Sequence, residues 1–252
     1  MNLLATICRF LLSLRYRIVI NESDLMNSSS PKLILPNHQA LVDPLIIFSQ
    51  IYRHAAAVPV VTESYFKIPV AKNLLKRLGA VSVSDLSAGN RDLTVLQTIV
   101  TNVIAALKDN KNVVLYPSGQ IAGQGYEKIF NKQSAWIIVK SLPDNTQIIG
   151  VRIRGLWGSM WSKASSGKSP NFLLTLLKGI FFVAANLIFF APRRRVTLEF
   201  YDITEEAKTK AHESKLAFNN FLEEIYNQGG EENPLFLRHF FYFQQRKRIH
   251  PN

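Results

Sequence analysis

Between Lys32 and about Phe200 the sequence alternates short β-type runs with stretches of helical patterning, and this constrains the fold more than any other feature. Leu33–Leu35 is followed by a helical pattern over Pro44–Tyr52, Val58–Val61 by Tyr65–Leu78, and Ala80–Val83 by Arg91–Lys108. Val113–Tyr116 is followed by Glu127–Lys140, and Ile148–Ile153 and Val196–Tyr201 complete the strands. Such a chain folds as an α/β domain whose sheet is mixed, largely parallel, and flanked by helices. In domains of this kind ligands gather at the loops leaving the carboxyl ends of the strands. Pro36–Asp43 and Pro117–Ala122 are two such loops.

The flanks and one insertion read differently. A helix over residues 3–17 puts Thr6, Arg9, Ser13 and Arg17 on one polar stripe between apolar faces, although Arg15 falls on the apolar side. Residues 1–20 are thus read as an amphipathic helix lying in a membrane surface, with a helix packed on the domain as the alternative. Within Phe172–Ala191 only Thr175, Lys178, Gly179 and Asn186 are not strongly apolar. As one helix this segment has the length to span a bilayer, roughly 30 Å. The β-type run at Val196–Tyr201 requires the chain to come back to the same sheet, so the expectation is a segment embedded in one leaflet; a buried core helix is the competing reading. The organisation is therefore residues 1–20, then a domain over 32–203 containing the apolar segment 171–192, then a helical extension over 204–252. Leu235–Phe243 with Arg246–Arg248 is either a further surface anchor or a packing helix with a solvated tail.

Charge supports an anionic partner. Of a net +12, +10 lies between Lys128 and Arg195, where Asp144 is the one acid. These cations flank an apolar span and do not interleave with aromatics along a groove, which favours an anionic membrane over nucleic acid. The single cysteine, Cys8, cannot form an internal disulfide, and no Cys/His spacing suggests a metal site. Arg9, Arg15 and Arg17 break up the N-terminal apolar stretch, so no cleaved leader is expected there. The expected location is the cytoplasmic face of a membrane, peripheral or monotopic, which in a bacterium is the inner membrane.

The chemistry-bearing residues sit in the two loops. In Asn37-His38-Gln39-Ala40-Leu41-Val42-Asp43-Pro44 a histidine and an aspartate stand five apart directly after a strand. Asp43-Pro44 also suits a helix start, so Asp43 as a plain N-cap is the competing reading. If the loop folds back, Asp43 can hold one imidazole nitrogen of His38 and leave the other as a base, with the nucleophilic hydroxyl coming from substrate. The turn Tyr116-Pro117-Ser118-Gly119-Gln120 offers close backbone approach at Gly119 and polar contacts at Ser118 and Gln120. Ser118 lacks the Gly-x-Ser-x-Gly setting of a hydrolase nucleophile.

In order along the chain, these blocks resemble the glycerolipid acyltransferases of the lysophosphatidate acyltransferase type. Asn37-His38…Asp43-Pro44 is similar to that family's His-x4-Asp block, Glu63–Pro69 with Arg77–Val83 to its second, Tyr116–Gln120 to its third and Ile148–Leu156 to its fourth. The resemblance implies His38 as general base, Asp43 as its orienting partner, and Asn37, Tyr116, Pro117, Ser118, Gly119, Gln120, Arg152 and Arg154 as substrate-binding residues. It implies an acyl-CoA or acyl-carrier-protein donor, a lysophospholipid acceptor, and no metal or other cofactor. The Val-Arg-Ile-x-Gly-Leu strand is most similar to acyltransferase domains joined to acyl-carrier-protein synthetases. Four positions depart from the pattern: Ser118 replaces a glutamate, Gln120-Ile121 a Thr-Arg pair, and Asp85 an arginine, with Arg91, Arg152 or Arg154 as candidate replacement cations. A fold-preserving lipid-binding module without catalysis is the alternative those departures leave open. Oxyanion donors are expected at the Asp43-Pro44 helix start or the Gly119 turn.

Overall fold

The computed structural model describes residues 2–238 except 53, 55, 67, 68 and 84–92. Asp85, Arg91 and the basic run Arg246–Arg248 lie outside the described residues. Seven strands form one sheet: β1 (Tyr16–Asn21), β2 (Lys32–Pro36), β3 (Ala57–Thr62), β4 (Val81–Val83), β5 (Asn112–Val114), β6 (Gln147–Arg154) and β7 (Arg194–Asp202), in the order β1-β7-β6-β2-β5-β3-β4. Every pairing is parallel except β6 with β7. All five residues of β2 are buried, as expected for a central parallel strand covered on both faces. The strands after β2 build outward on one side (β5, β3, β4), and the later ones on the other (β6, β7). The reversal falls at β2, so the crevice of the sheet opens at its carboxyl end, where His38 follows.

Helices cover both faces: α1 (Asn2–Ser13), α2 (Asp43–Ile51), α3 (Glu63–Phe66), α4 (Pro69–Arg77), α5 (Leu93–Lys108), α6 (Ser134–Lys140), α7 (Phe172–Ala185), α8 (Thr204–Glu213) and α9 (Lys215–Tyr226). The period of two in the strands sorts the core into two layers. Leu33, Leu35, Val113 and Ile148 pack with α5, α6, α8 and α9, whereas Ile34, Val114, Ile149 and Val151 pack with α2 and Trp161.

Three expectations are corrected. The helix expected over residues 3–17 ends at Ser13, and Tyr16–Asn21 becomes the edge strand β1, paired residue for residue with Arg194–Glu199. Ile18, Val19 and Ile20 are β-branched, and the free edge of β7 gives their backbone a partner that a helix end does not. The helix expected over 127–140 is helical only from Ser134; residues 117–133 form a long irregular loop interrupted by Gly123 and Gly125. Tyr65–Leu78 divides into α3 and α4, the second opening on Pro69.

No helix among the described residues is long and apolar enough to cross a membrane. The helix α7 stops at Ala185, and Leu187 and Ile188 take positive φ values of 50° and 55°, which turns the chain back toward β7. Its polarity is inverted relative to a packed helix: Thr175 and Asn186 are buried, whereas Leu173, Leu174, Leu177, Ile180 and Phe181 face outward and Phe189 is 92% exposed. The core-helix reading of this segment is therefore excluded. From α1, Phe10 and Leu11 add to the exposed apolar surface.

Candidate active site

The loop leaving β2 carries His38 over the start of α2. The imidazole Nδ1 lies 3.0 Å from Asp43 Oδ2, and Asp43 is fully buried while the His38 side chain is 13% exposed. Asp43 is not the N-cap of α2. It sits inside the first turn beside Pro44, and the same Oδ2 accepts the Ala40 backbone N–H at 2.9 Å, so the carboxylate braces the loop that bears His38. Burial pushes the Asp43 carboxyl above its ordinary value, opposed by the hydrogen bond and charge of His38 and the Ala40 N–H. With Asp43 on Nδ1, the proton resides there and Nε2 is left as the basic nitrogen.

The second loop closes over the imidazole. Tyr116 packs its ring 4.3 Å from that of His38, tilted by 35°, and Ala122 N–H donates to the His38 carbonyl. Tyr116 is held well above the ordinary phenol value, first by burial and then by the charges of Asp43 and Glu127, so it remains a neutral hydroxyl. That hydroxyl is buried without a protein hydrogen-bond partner, as are Asp43 Oδ1, Glu127 Oε1 and Arg152 Nε. The first three belong to residues that contact His38, and unpaired polar atoms so placed are expected where a substrate completes the bonding.

The sequence-expected binding residues occupy unlike positions. Asn37 is buried and clamps β2 to β6: its Nδ2 donates to the Ile153 carbonyl at 3.1 Å and its Oδ1 accepts the Ile153 N–H at 2.6 Å. Pro117 is buried, and the Ser118 hydroxyl, buried too, donates to the Gln120 carbonyl. Gly119 has φ +63°, and a Cβ there meets open space, so glycine serves the turn conformation and not ligand clearance. Its N–H already donates to the Tyr116 carbonyl, which removes it as an oxyanion donor. Gln120 is exposed at the turn. On β6, Arg152 is buried and paired with Glu199 at 3.4 Å, whereas Arg154 is exposed.

Glu127 escaped the sequence reading. Its carboxylate accepts the His38 backbone N–H at 2.9 Å, and burial pushes it up to about 8, opposed by the neighbouring Ser118 hydroxyl and the His38 N–H. Ser118, where the family pattern expects a glutamate, thus lies beside a glutamate supplied from nine residues further on. The available signal was that Glu127 is the one acid between Asp109 and Asp144. Also unforeseen are Gln39, which donates to Glu232 at 2.7 Å and accepts the Leu156 N–H, and Asn227. The C-terminal segment after α9 therefore belongs to the architecture of the site.

A sequence pattern described as Acyltransferase matches residues 17–154, more than half of the chain, and spans β1 to β6 with both loops. The chain belongs to the acyltransferase family. The solved structure of the 1-acyl-sn-glycerophosphate (LPA) acyltransferase PlsC from Thermotoga maritima is similar, with a TM-score of 0.56 at 19% sequence identity, over 89% of this chain and 76% of that one. At that identity the likeness speaks to the fold: the acyltransferase has a mixed, mostly parallel seven-stranded sheet flanked by helices. No curated protein matches the acyltransferase in sequence. In this acyltransferase the His38–Asp43 pair sits where the first loop leaves the central strand.

Proposed function

We propose that the acyltransferase moves a fatty acyl group from an acyl-CoA or acyl-carrier-protein thioester to the free hydroxyl of a lysophospholipid resembling 1-acylglycerol-3-phosphate. The observation that carries this reading is the 3.0 Å contact between His38 Nδ1 and a fully buried Asp43. It fixes the tautomer, and the side chain remains open to solvent at its edge. His38 Nε2 takes the acceptor hydroxyl proton as the oxygen attacks the thioester carbonyl, a contribution of typically ~10²–10⁴ in rate. The tetrahedral oxyanion collapses, the C–S bond breaks, and the departing thiolate receives the proton from the imidazolium. The buried, neutral Tyr116 hydroxyl beside His38 is a donor for the acceptor or the oxyanion. A thioester is already an activated acyl group, so the reaction calls on no metal or redox cofactor.

The outward-facing leucines and phenylalanines of α7 and its following turn, with Phe10 and Leu11 of α1, are read as seated in an anionic membrane at its cytoplasmic face. Exposed Lys168 before the segment, Lys178 within it, and Arg193 and Arg195 after it suit lipid phosphates, each worth ~1 kcal/mol near an anionic bilayer. This places the enzyme where both acceptor and product reside. An association with acyl-carrier-protein synthetases is part of the same reading through the donor.

The test measures thiol release from a long-chain acyl-CoA with 1-acylglycerol-3-phosphate as acceptor, on vesicles containing anionic lipid. His38→Ala abolishes transfer and leaves vesicle binding unchanged. Undiminished turnover in His38→Ala overturns the assignment. Vesicle binding without thioester consumption by the unaltered protein supports the alternative, a lipid-binding module of the same fold, for which Ser118 in place of a glutamate and Asp85 in place of an arginine are the motivating observations.

A further inference from the structure

Glu127 is buried, comes from an irregular loop, and touches the backbone of the proposed base, yet the mechanism above gives it no proton to move. Its surroundings are built around it. Its own N–H donates to Asn227 Oδ1 at 2.8 Å and its carbonyl accepts from Asn227 Nδ2 at 3.0 Å, so one asparagine at the end of α9 holds both backbone groups. The neighbouring Ile129 N–H and the Lys128 ammonium both bond Glu223, one turn earlier on α9. Helix α9 is in turn tied to the central strand, because the Tyr226 hydroxyl donates to the Leu35 carbonyl at 2.8 Å. The carboxyl thus stands on a rigid support, and its Oε2 accepts the His38 backbone N–H.

We propose that Glu127 is a positioning residue of the acyl-transfer site: its carboxyl, held by Asn227 of the C-terminal segment, fixes the backbone at His38 and thereby aims the imidazole between Asp43 and the substrate. The inference rests on the acyl-transfer reading for its functional consequence, but not for its geometry. Asp43 restrains His38 through the ring and Glu127 through the main chain. The Ala122 N–H holds the His38 carbonyl as well, so loss of the Glu127 contact frees the N–H side of the His38 main chain, a freedom that a near-attack geometry does not tolerate. The arrangement also explains how the site tolerates Ser118, since the carboxyl beside it arrives from residue 127.

Burial favours the uncharged carboxyl, whereas the hydrogen bond from His38 N–H favours the ionised one. It faces His38 and Asp43 from the first loop and α2, Tyr116 from the loop after β5, Glu223 and Tyr226 from α9, and Arg152 and Glu232 across the narrow cleft they share. Arg152 is paired with Glu199, and no described cation bonds Glu127. Ionisation near pH 8 makes the carboxyl a stronger acceptor for the His38 N–H but puts a second negative charge beside Asp43 with no described counter-ion, so the His38 loop senses the titration of Glu127.

The experiment compares the unaltered protein with Glu127→Gln, Glu127→Ala and Asn227→Ala. Rates of thiol release are followed from pH 6 to 9.5, and the His38 Nδ1–H resonance is followed in protein labelled with ring-¹⁵N histidine. Glu127→Ala lowers kcat by roughly 10–100-fold with KM within about twofold, and weakens the hydrogen-bonded Nδ1–H signal. Glu127→Gln, which keeps the acceptor oxygen, restores kcat to within a few-fold and removes the change in rate that follows the titration of Glu127. Asn227→Ala falls between them. Unchanged kcat and an unchanged Nδ1–H signal in Glu127→Ala overturn the inference. So does a Glu127→Gln as impaired as Glu127→Ala with an equal fall in melting temperature, which marks a merely structural role. If the unaltered protein transfers no acyl group, the acyl-transfer reading fails, and the Nδ1–H signal alone decides for or against Glu127.

Discussion

Replacing Glu127 by glutamine changes how the stability of the fold responds to pH, and the size of the change follows from the burial of the carboxyl. Folding raises this group from 4.5 to about 8, chiefly by desolvation. Below pH 4.5 both folded and unfolded chains hold the proton and the shift has no effect. Between 4.5 and 8 the unfolded chain has released its proton while the folded chain keeps it, so stability falls as pH rises, by about 1.36 kcal/mol per pH unit. From pH 5 to pH 7 the loss is about 2 to 3 kcal/mol; above pH 8 the folded group ionises too, and the loss levels off at about 5 kcal/mol. Glutamine does not titrate. Its unpaired amide N–H groups cost about 1–3 kcal/mol at every pH, so the variant is the less stable protein at pH 5 and gains on the unaltered one as pH rises. Equilibrium urea unfolding in detergent micelles, followed by fluorescence of Trp136, Trp157 and Trp161, measures the difference. Only the difference between the two proteins is used, which cancels the other groups titrating in this range. Parallel stability curves from pH 5 to 8 would mean that the buried carboxyl is already ionised in the fold, and would refute the argument.

Other outcomes are as definite. Asp43→Asn keeps the shape of the loop but loses the charge that holds the His38 tautomer, so kcat falls by roughly 10²–10⁴-fold with little change in binding, measured by thiol release. Asn37→Ala orphans the buried N–H and carbonyl of Ile153, costing about 1–3 kcal/mol per group left unpaired, and urea unfolding reads the loss. Phe189→Glu on the turn after α7 leaves the melting temperature unchanged, because the ring is in solvent, and reduces co-sedimentation with anionic vesicles; equal co-sedimentation removes α7 from the membrane surface. Gly125→Ala drives a Cβ into the Glu232 carbonyl, which already accepts no closer approach, displacing the C-terminal strap and lowering both melting temperature and turnover.

The sequence by itself determined the α/β class, six of the seven strands to within two residues at either end, and the pairing of His38 with Asp43. These are legible because they are local: a period of two against a period of 3.6, and a loop of five residues that can reach back on itself. It also determined that Phe172–Ala191 is apolar and that its chain must return to the sheet. Tertiary structure decided the rest. Tyr16–Asn21 became a strand because β7 offered it an edge, a partner 178 residues away along the chain in the register that joins Tyr16 to Arg194. Whether α7 is core or surface depended on which of its faces the domain covered, and only the fold shows that Thr175 and Asn186 point inward. Glu127 carries no motif, since its role is set by three contacts, with His38, Ser118 and Asn227, that lie 89, 9 and 100 residues from it. A carboxylate is defined chemically by its neighbours, and neighbours that distant are brought together by the closing of the sheet and not by spacing in the chain.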